Sequence, residues 1–123
     1  MKKIRVLHII DTTGPGGAEK VICDIVKKLD RRKFISFLII PDKGWLYSQL
    51  KDKNVTIDII DGKGAYNASY IIKLIRYVYR NKIDIIHAHL LGVSLYCSFV
   101  SLLTGTPLIC TIHGFVDLPK RKS

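Results

Sequence analysis

Cysteine is scarce in this sequence. The 123 residues include only three cysteines, Cys23, Cys97 and Cys110, and no two of them form a Cys-x-x-Cys pair. This number and spacing exclude a disulfide framework and a zinc knuckle. Because each cysteine is set among apolar residues, we predict three small core residues in a protein of a reducing compartment.

Long hydrophobic runs and export signals are also lacking. The longest apolar stretch, Leu90 to Leu103, is interrupted by serines and is shorter than the roughly 20 residues that a membrane span requires. It predicts a buried helix. At the N-terminus, Arg5, His8 and Asp11 interrupt what would be the apolar region of a signal peptide, so no export signal is predicted.

Acidic residues are half as frequent as basic ones. Asp and Glu number 10 against 20 Lys and Arg, which gives a formal net charge of +10. Such a balance indicates anionic partners, and nucleic acid, an anionic membrane surface and phosphorylated substrates are all compatible with it. Because no helix-turn-helix, RRM or KH signature is present, we expect no nucleic-acid partner.

One predicted helix, from Tyr70 to Lys82, combines basic residues with tyrosines. The residues in question are Lys73, Arg76, Arg80 and Lys82, accompanied by Tyr66, Tyr70, Tyr77 and Tyr79. This arrangement is found on helices that lie on a membrane surface, and it is found equally on an ordinary solvated face.

Strand and helix patterns alternate along the whole chain. With 48% hydrophobic residues the chain can form one domain with a real core. The predicted strands are Ile4–Ile10, Phe34–Ile40, Val55–Ile60, Ile83–Ala88 and Leu108–Ile112. Helices are predicted from about Gly17, over Trp45–Lys53, from Asn67 or Ser69, and over Leu90–Leu103, with Gly105 as a stop. The pattern predicts a doubly wound, parallel Rossmann-like α/β sheet in the order 3-2-1-4-5.

In such a sheet, ligands bind at the carboxyl ends of the strands, where the winding reverses. The loop Gly14-Pro15-Gly16-Gly17 follows the first strand and opens a helix, so its backbone N–H groups and the helix dipole can bind phosphate. Glu19 stands where a dinucleotide fingerprint requires Gly or Ala, and Gly17-Ala18-Glu19 excludes a phosphate-loop NTPase. A simple tight turn is the alternative.

Three of the four histidines follow strands at the same edge. His87 and His89 are two residues apart and therefore point to one face of a strand, and with His113 they are possible metal ligands. Since no cysteine or carboxylate lies beside them at ligand spacing, we predict no metal site. His113 is the better candidate for acid–base catalysis or substrate orientation. His8, inside the first strand, is interpreted as structural.

Four motifs together resemble the N-terminal domain of family 4 glycosyltransferases, over essentially the whole chain. They are the opening strand Ile4 to Ile10, the loop Gly14 to Glu19, the segment Asp84-Ile85-Ile86-His87-Ala88-His89, and Thr111-Ile112-His113-Gly114. The resemblance implies a retaining transferase in which two Rossmann-like domains face a cleft, the architecture called GT-B. The N-terminal domain carries the acceptor site, and the nucleotide-sugar lies mainly on the other domain.

The resemblance also implies roles for individual residues. Gly16 and Gly17 would approach the diphosphate of the nucleotide-sugar donor, and His113 would lie near the transferred sugar and act as the catalytic residue. His89 matches the second histidine of the family's His-x-His segment and is assigned to the donor site. No cofactor is expected, because the nucleotide-sugar is itself a substrate.

We therefore expect residues 1–123 to form the acceptor-side half of a glycosyltransferase. The substrates would be a nucleotide-sugar and a glycan or lipid-linked acceptor, in cell-envelope or exopolysaccharide synthesis. The family's second domain, with its paired glutamates, is absent from the 123 residues, so we expect this chain alone to be inactive. The expected location is the cytoplasm, at the inner face of an anionic membrane. The alternative is a non-catalytic binding module that docks to a protein or a membrane.

Overall fold

The chain forms one five-stranded parallel sheet flanked by helices. The computed structural model describes residues 2–62 and 68–111, apart from the side chain of Leu91. The strands in these ranges are β1 (Ile4–Ile9), β2 (Phe34–Ile40), β3 (Val55–Ile59), β4 (Ile85–His89) and β5 (Leu108–Thr111). The helices are α1 (Gly17–Lys28), α2 (Trp45–Leu50), α3 (Ala68–Arg80) and α4 (Leu91–Thr104). The sheet order is β3-β2-β1-β4-β5, which confirms the predicted topology.

Strand β1 lies at the centre of the sheet and fixes the point where the winding reverses. It pairs in parallel with β2 on one side and with β4 on the other, with Leu7 opposite Phe37 and His8 opposite His87. The carboxyl ends of β1 and β4 are therefore neighbours. In an open parallel sheet this crevice is where ligands bind.

Each face of the sheet is covered by its own pair of helices. Helices α1 and α2 bury Ile22 and Leu46 against Leu38 and Ile40 of β2. On the opposite face, α3 and α4 pack against β1 and β4 in a second apolar cluster, which contains Leu7. Because both faces are covered, the central strands are nearly continuous apolar runs, as the sequence indicated.

Helix α4 is apolar on all sides but is packed on only one. Val93, Cys97 and Val100 are buried against the sheet, whereas Leu95 and Leu102 on the outer side are 62% and 79% exposed. The prediction of a buried helix is therefore wrong for the outer side of α4. Its end is as predicted, since Gly105 adopts φ +72°, a left-handed conformation that favours glycine.

Helix α3 separates its tyrosines from its basic residues. Tyr70 and Tyr77 are buried in the core, and only Tyr79 of the tyrosines within α3 is exposed. Lys73, Arg76 and Arg80 are all exposed. The tyrosine-rich face that the sequence suggested is thus reduced to one residue, while the basic side of the helix remains.

The structure also tests the expectations for the cysteines and for membrane spans. Cys23 and Cys97 are buried as predicted, but Cys110 on the edge strand β5 is exposed, so the expectation of three core cysteines is wrong at this position. Within the described ranges, every helix is too short or too polar to cross a bilayer.

Candidate active site

The glycine loop opens helix α1 at the carboxyl edge of the sheet. Gly16 is the N-cap in an extended conformation and has no side chain to cap the helix, and its N–H donates to the carbonyl of Gly14 at 2.9 Å. N–H groups in the first turn of a helix have no partner within the helix. Among the residues that the structure describes, none would lie within 4 Å of a Cβ atom added at Gly17, so no described residue covers the start of α1.

A buried carboxylate lies beside this helix start. Glu19 is buried in the first turn of α1, and the hydroxyl of Thr12 donates a hydrogen bond to its side chain. A Cβ atom at Gly16 would lie 2.7 Å from Oε1 of Glu19, so the glycine makes room for the carboxylate. Glu19 complements the positive end of the helix dipole and competes there with any phosphate. The sequence had shown Glu19 only as a departure from the dinucleotide fingerprint.

Thr13, which precedes the glycine loop, is hydrogen-bonded to the segment between β2 and α2. Thr13 is buried, its hydroxyl donates to Asp42 at 2.6 Å, and its carbonyl accepts the N–H of Leu46 at 2.9 Å. A Cβ atom at Gly44 would overlap the hydroxyl of Thr13. These contacts hold the glycine loop against the start of α2, so it is positioned before any ligand arrives.

Three imidazole rings lie together between β1 and β4. The ring centroids of His87 and His89 are 4.0 Å apart, and the ring of His8 lies 5.5 Å and 5.9 Å from them. His87 is joined through Nε2 to the hydroxyl of Thr111 at 2.7 Å. The shared face of His87 and His89 is therefore confirmed. The strand register adds His8, for which the sequence predicts a structural role.

The environment of His8 keeps it neutral. Both ring nitrogens are buried, and neither has a hydrogen-bond partner among the described residues. Burial, and then the neighbouring His87, lower the pKa of His8 from 6.5 to about 3. An imidazole that does not charge near neutral pH cannot serve there as a proton shuttle, so His8 fills space in the sheet rather than performing acid–base chemistry.

The three rings each bring one possible metal-ligand nitrogen into the same region. Their possible ligand nitrogens lie within 4.8 Å of one another. A tetrahedral zinc ion with bonds of about 2.0–2.1 Å requires nitrogens roughly 3.4 Å apart. Because Nε2 of His87 bonds Thr111, only the other nitrogen of this ring could bind a metal without breaking that bond, and the absence of a metal site stays a prediction.

A cavity adjoins the crevice on the side of α3 and α4. It has a volume of about 710 Å³ and lies beside the carboxyl ends of β1 and β3. Asp11, the first residue after Ile10, forms part of its wall together with Asp61. Burial raises the pKa of the Asp11 carboxyl, its own backbone N–H lowers it, and the charge of Glu19 raises it. No local sequence pattern predicts this cavity, because its walls come from separate elements.

The predicted site residues have different outcomes. Gly16 and Gly17 lie at the carboxyl edge, where a ligand can reach them. His89 lies at the end of β4, but its side chain is fully buried, so its ring does not line an open surface of the described part of the chain. His113 and Gly114 lie outside the described residues.

Comparison with known proteins identifies relatives over most of the chain. The family profile of Glycosyltransferase Family 4 matches residues 15–123. CapH, a capsular polysaccharide biosynthesis glycosyltransferase of Staphylococcus aureus, is 32% identical over 92 residues, which are 74% of this chain and 25% of CapH. The chain thus spans about a quarter of the length of this curated relative.

Solved structures share the fold. A glycosyltransferase from Rickettsia africae superposes with a TM-score of 0.79 at 17% identity, over 98% of this chain and 32% of its own. HepE (Alr3699) of Anabaena, crystallised with UDP, superposes with a TM-score of 0.68 at 17% identity, over 87% of this chain and 29% of its own. Since the family profile covers far more than half of the sequence, the chain belongs to Glycosyltransferase Family 4.

Proposed function

We propose that this chain is the acceptor-side half of a nucleotide-sugar-dependent, retaining glycosyltransferase of cell-envelope or exopolysaccharide synthesis. One observation carries the proposal: a glycine loop opens α1 beside the carboxyl ends of β1 and β4, and no described residue would crowd a Cβ atom at Gly17. Membership of the family supports transfer of a sugar over a purely docking role. Support for the pathway comes from CapH, which acts in capsular polysaccharide biosynthesis.

The donor's diphosphate would contact the first turn of α1. Backbone N–H groups and the helix dipole attract phosphate oxygens there, and the absence of side chains at Gly16 and Gly17 permits close approach. HepE binds UDP, which supports a uridine nucleotide as the first probe. Glu19 opposes the phosphate charge, so we expect this half alone to bind the nucleotide weakly. No cofactor is required, because the nucleotide-sugar already carries the activated sugar.

His113 and His89 complete the proposed site. His113 follows β5 in the sequence, and an imidazole there can orient or hydrogen-bond the transferred sugar. Because the ring of His89 is buried, His89 would support the site from inside the sheet rather than contact the donor directly. A second, donor-binding domain would supply the remaining contacts, either in the same polypeptide or in a partner chain, and the proposal places both at the inner, cytoplasmic face of the membrane.

The glycine loop provides the test. We expect Gly17→Val to weaken UDP binding to the purified chain at least tenfold, or about 1.4 kcal/mol, because its side chain would occupy the open space at the helix start. The measurement is an NMR titration with UDP, with circular dichroism to follow the fold.

Gly14→Val is the matched control. At position 14, too, an added Cβ would meet no described residue within 4 Å, but this position precedes the helix. We expect this variant to bind UDP like the parent chain. Equal UDP affinity in the Gly17→Val variant and the parent would show that the loop is only a turn, and would remove the observation that carries the proposal.

A further inference from the structure

Glu19 is a buried carboxylate that no described cation neutralises. The residue is 6% exposed, and within the described ranges no lysine or arginine lies at ion-pair distance from it. The hydroxyl of Thr12 donates a hydrogen bond to it, and the positive end of the α1 dipole lies beside it. Because burying a charge without an ionic partner costs free energy, such groups are uncommon away from functional sites. This carboxylate therefore indicates a role in the chemistry of the loop.

The carboxylate of Glu19 lies against the glycine loop. A Cβ atom at Gly16 would be 2.7 Å from Oε1 of Glu19, so this oxygen fills the space that a side chain at the N-cap would take. At Gly17, in contrast, no described residue would lie within 4 Å of an added Cβ atom. A phosphate bound to the first turn at Gly17 would therefore lie within about one helical turn, roughly 5 Å, of the carboxylate.

The charge of Glu19 acts on its surroundings over such a distance. Burial raises the pKa of the neighbouring Asp11 carboxyl, and the charge of Glu19 raises it further. Around the loop the two carboxylates make a locally acidic region in a chain with a net charge of +10. Because Coulomb repulsion grows with the charge of a ligand, each additional negative charge on a phosphate beside Glu19 weakens its binding.

Sugar transfer changes the charge of the nucleotide. In a nucleotide-sugar, the terminal phosphate is esterified by the sugar and carries one negative charge. Transfer breaks the bond between the anomeric carbon and the phosphate oxygen, the sugar joins the acceptor oxygen, and the oxygen of the broken bond stays on the phosphate. A phosphate freed in this way has a second pKa of about 6 and is mostly ionised at neutral pH. The nucleoside diphosphate product therefore carries about one more negative charge than the donor.

We propose that Glu19 distinguishes the donor from the nucleotide product, because its carboxylate tolerates the esterified diphosphate and repels the freed one. The inference rests on the proposed function, which brings the diphosphate to the first turn of α1. An ordinary helix N-terminus binds the more highly charged of two anions more tightly, so Glu19 reverses the usual order. In the complete enzyme this repulsion favours release of the nucleotide after transfer and limits its competition with the donor.

UDP and its β-methyl ester are matched probes for this charge. They differ by the ester methyl group and by about one negative charge, and neither carries a sugar, so the identity of the transferred sugar does not enter the test. Each is titrated into the purified chain at about pH 7.5, above the second phosphate pKa of about 6, and followed by NMR. We expect the methyl ester to bind the parent chain roughly threefold more tightly than UDP. Equal or tighter binding of UDP would overturn the proposal without any variant.

Glu19→Gln removes the charge and keeps an oxygen that can accept the hydrogen bond of Thr12. We expect this variant to bind UDP roughly tenfold more tightly than the parent chain, and the methyl ester only about threefold more tightly, so the preference for the ester disappears. Glu19→Asp retains the charge and should retain the preference.

Asp24→Asn is the matched control. It removes the same charge from an exposed position further along α1 and should change neither affinity. Circular dichroism follows the fold of each variant. An unchanged preference in the Glu19→Gln variant, or an equal loss of preference in the Asp24→Asn variant, would overturn the proposal.

The Gly17→Val variant separates this inference from the proposed function. If Gly17→Val weakens binding of both nucleotides while Glu19→Gln leaves the ratio of their affinities unchanged, the donor loop is supported and only the role of Glu19 is overturned. If Gly17→Val leaves both affinities unchanged, the loop does not hold the diphosphate, and the proposed function and this inference are both overturned.

Discussion

The burial of His8 makes the folding stability of the protein depend on pH. Its ring is buried among apolar neighbours and faces two other imidazoles, so the folded protein strongly disfavours a charge there. In the unfolded chain the same ring is in water and titrates at its ordinary pKa of 6.5. The difference between the two states makes folding stability depend on pH.

The sign of this effect follows from the lowered pKa. At pH 7 the ring is neutral in the folded chain and mostly neutral in the unfolded chain, so its effect on stability is small. As the pH falls from 6.5 toward 3, the unfolded chain binds a proton that the folded chain does not, so stability decreases by about 1.4 kcal/mol per pH unit from this group. Below about pH 3 the folded ring also charges and the loss levels off.

We expect His8→Leu to remove this dependence. Leucine is apolar, and because no described residue hydrogen-bonds the His8 ring, the substitution breaks no such bond. Urea unfolding at pH 7 and pH 5 should show that the parent chain loses about 2 kcal/mol more than the variant between the two pH values. The same pH dependence in both proteins would contradict the lowered pKa.

At the scale of elements, periodicity predicted the type of every described helix and strand. Alternation of strands and helices, with the topological rule for doubly wound sheets, was enough for the sheet order. The prediction that α4 is buried on all sides was wrong, because an apolar pattern around a whole helix predicts burial without indicating what covers each side. The trio of imidazoles required the register between β1 and β4, which no local pattern contains.

The candidate site was predictable only where one segment forms it. The glycine loop is local: its residues are consecutive, and the helix that they open follows at once. The cavity is formed by residues that are distant in the sequence, since Asp11 follows β1, Asp61 follows β3 and Phe99 belongs to α4. Local sequence patterns do not indicate which of these distant residues come into contact in the folded chain.

We expect helix α3 to contact a membrane through its basic residues rather than through its tyrosines. Arg76 and Arg80 are exposed on the same sheet face as the bare apolar side of α4, so basic and apolar groups are presented together. Peripheral helices bind anionic bilayers by this combination. We expect the purified chain to co-sediment with vesicles that contain anionic lipid, less so at high salt and not with neutral vesicles.

The charges of α3 can be tested against those of α1. Arg76→Gln with Arg80→Gln should weaken vesicle binding roughly 10- to 30-fold, since each basic residue near the surface contributes about 1 kcal/mol. Lys27→Gln with Lys28→Gln removes the same charge from the opposite face of the sheet and should have little effect. If both pairs weaken binding alike, or neutral vesicles bind equally well, the charge is diffuse and α3 does not face a membrane.

At the scale of the whole molecule, we expect the chain to fold by itself and, under the proposed function, to form one wall of a catalytic cleft. Both faces of its sheet are covered by packed helices, which gives it a core of its own. The proposed donor loop and the 710 Å³ cavity both lie at the carboxyl edge of the sheet. In a two-domain transferase, the second domain closes over this edge, excludes water and holds the two substrates together.

We therefore expect the purified 123-residue chain to be folded and inactive. Holding two reactants in the reacting geometry can account for about 7–11 kcal/mol of the barrier, and one wall cannot hold both. The chain is incubated with a panel of nucleotide-sugars and with alkyl-glycoside and lipid-linked acceptors, and products are measured by mass spectrometry. Full-length CapH, treated identically, shows whether the panel contains a usable pair. Multiple turnover by the isolated chain would mean that these residues hold donor and acceptor without a second domain, and the division of labour proposed above would be wrong.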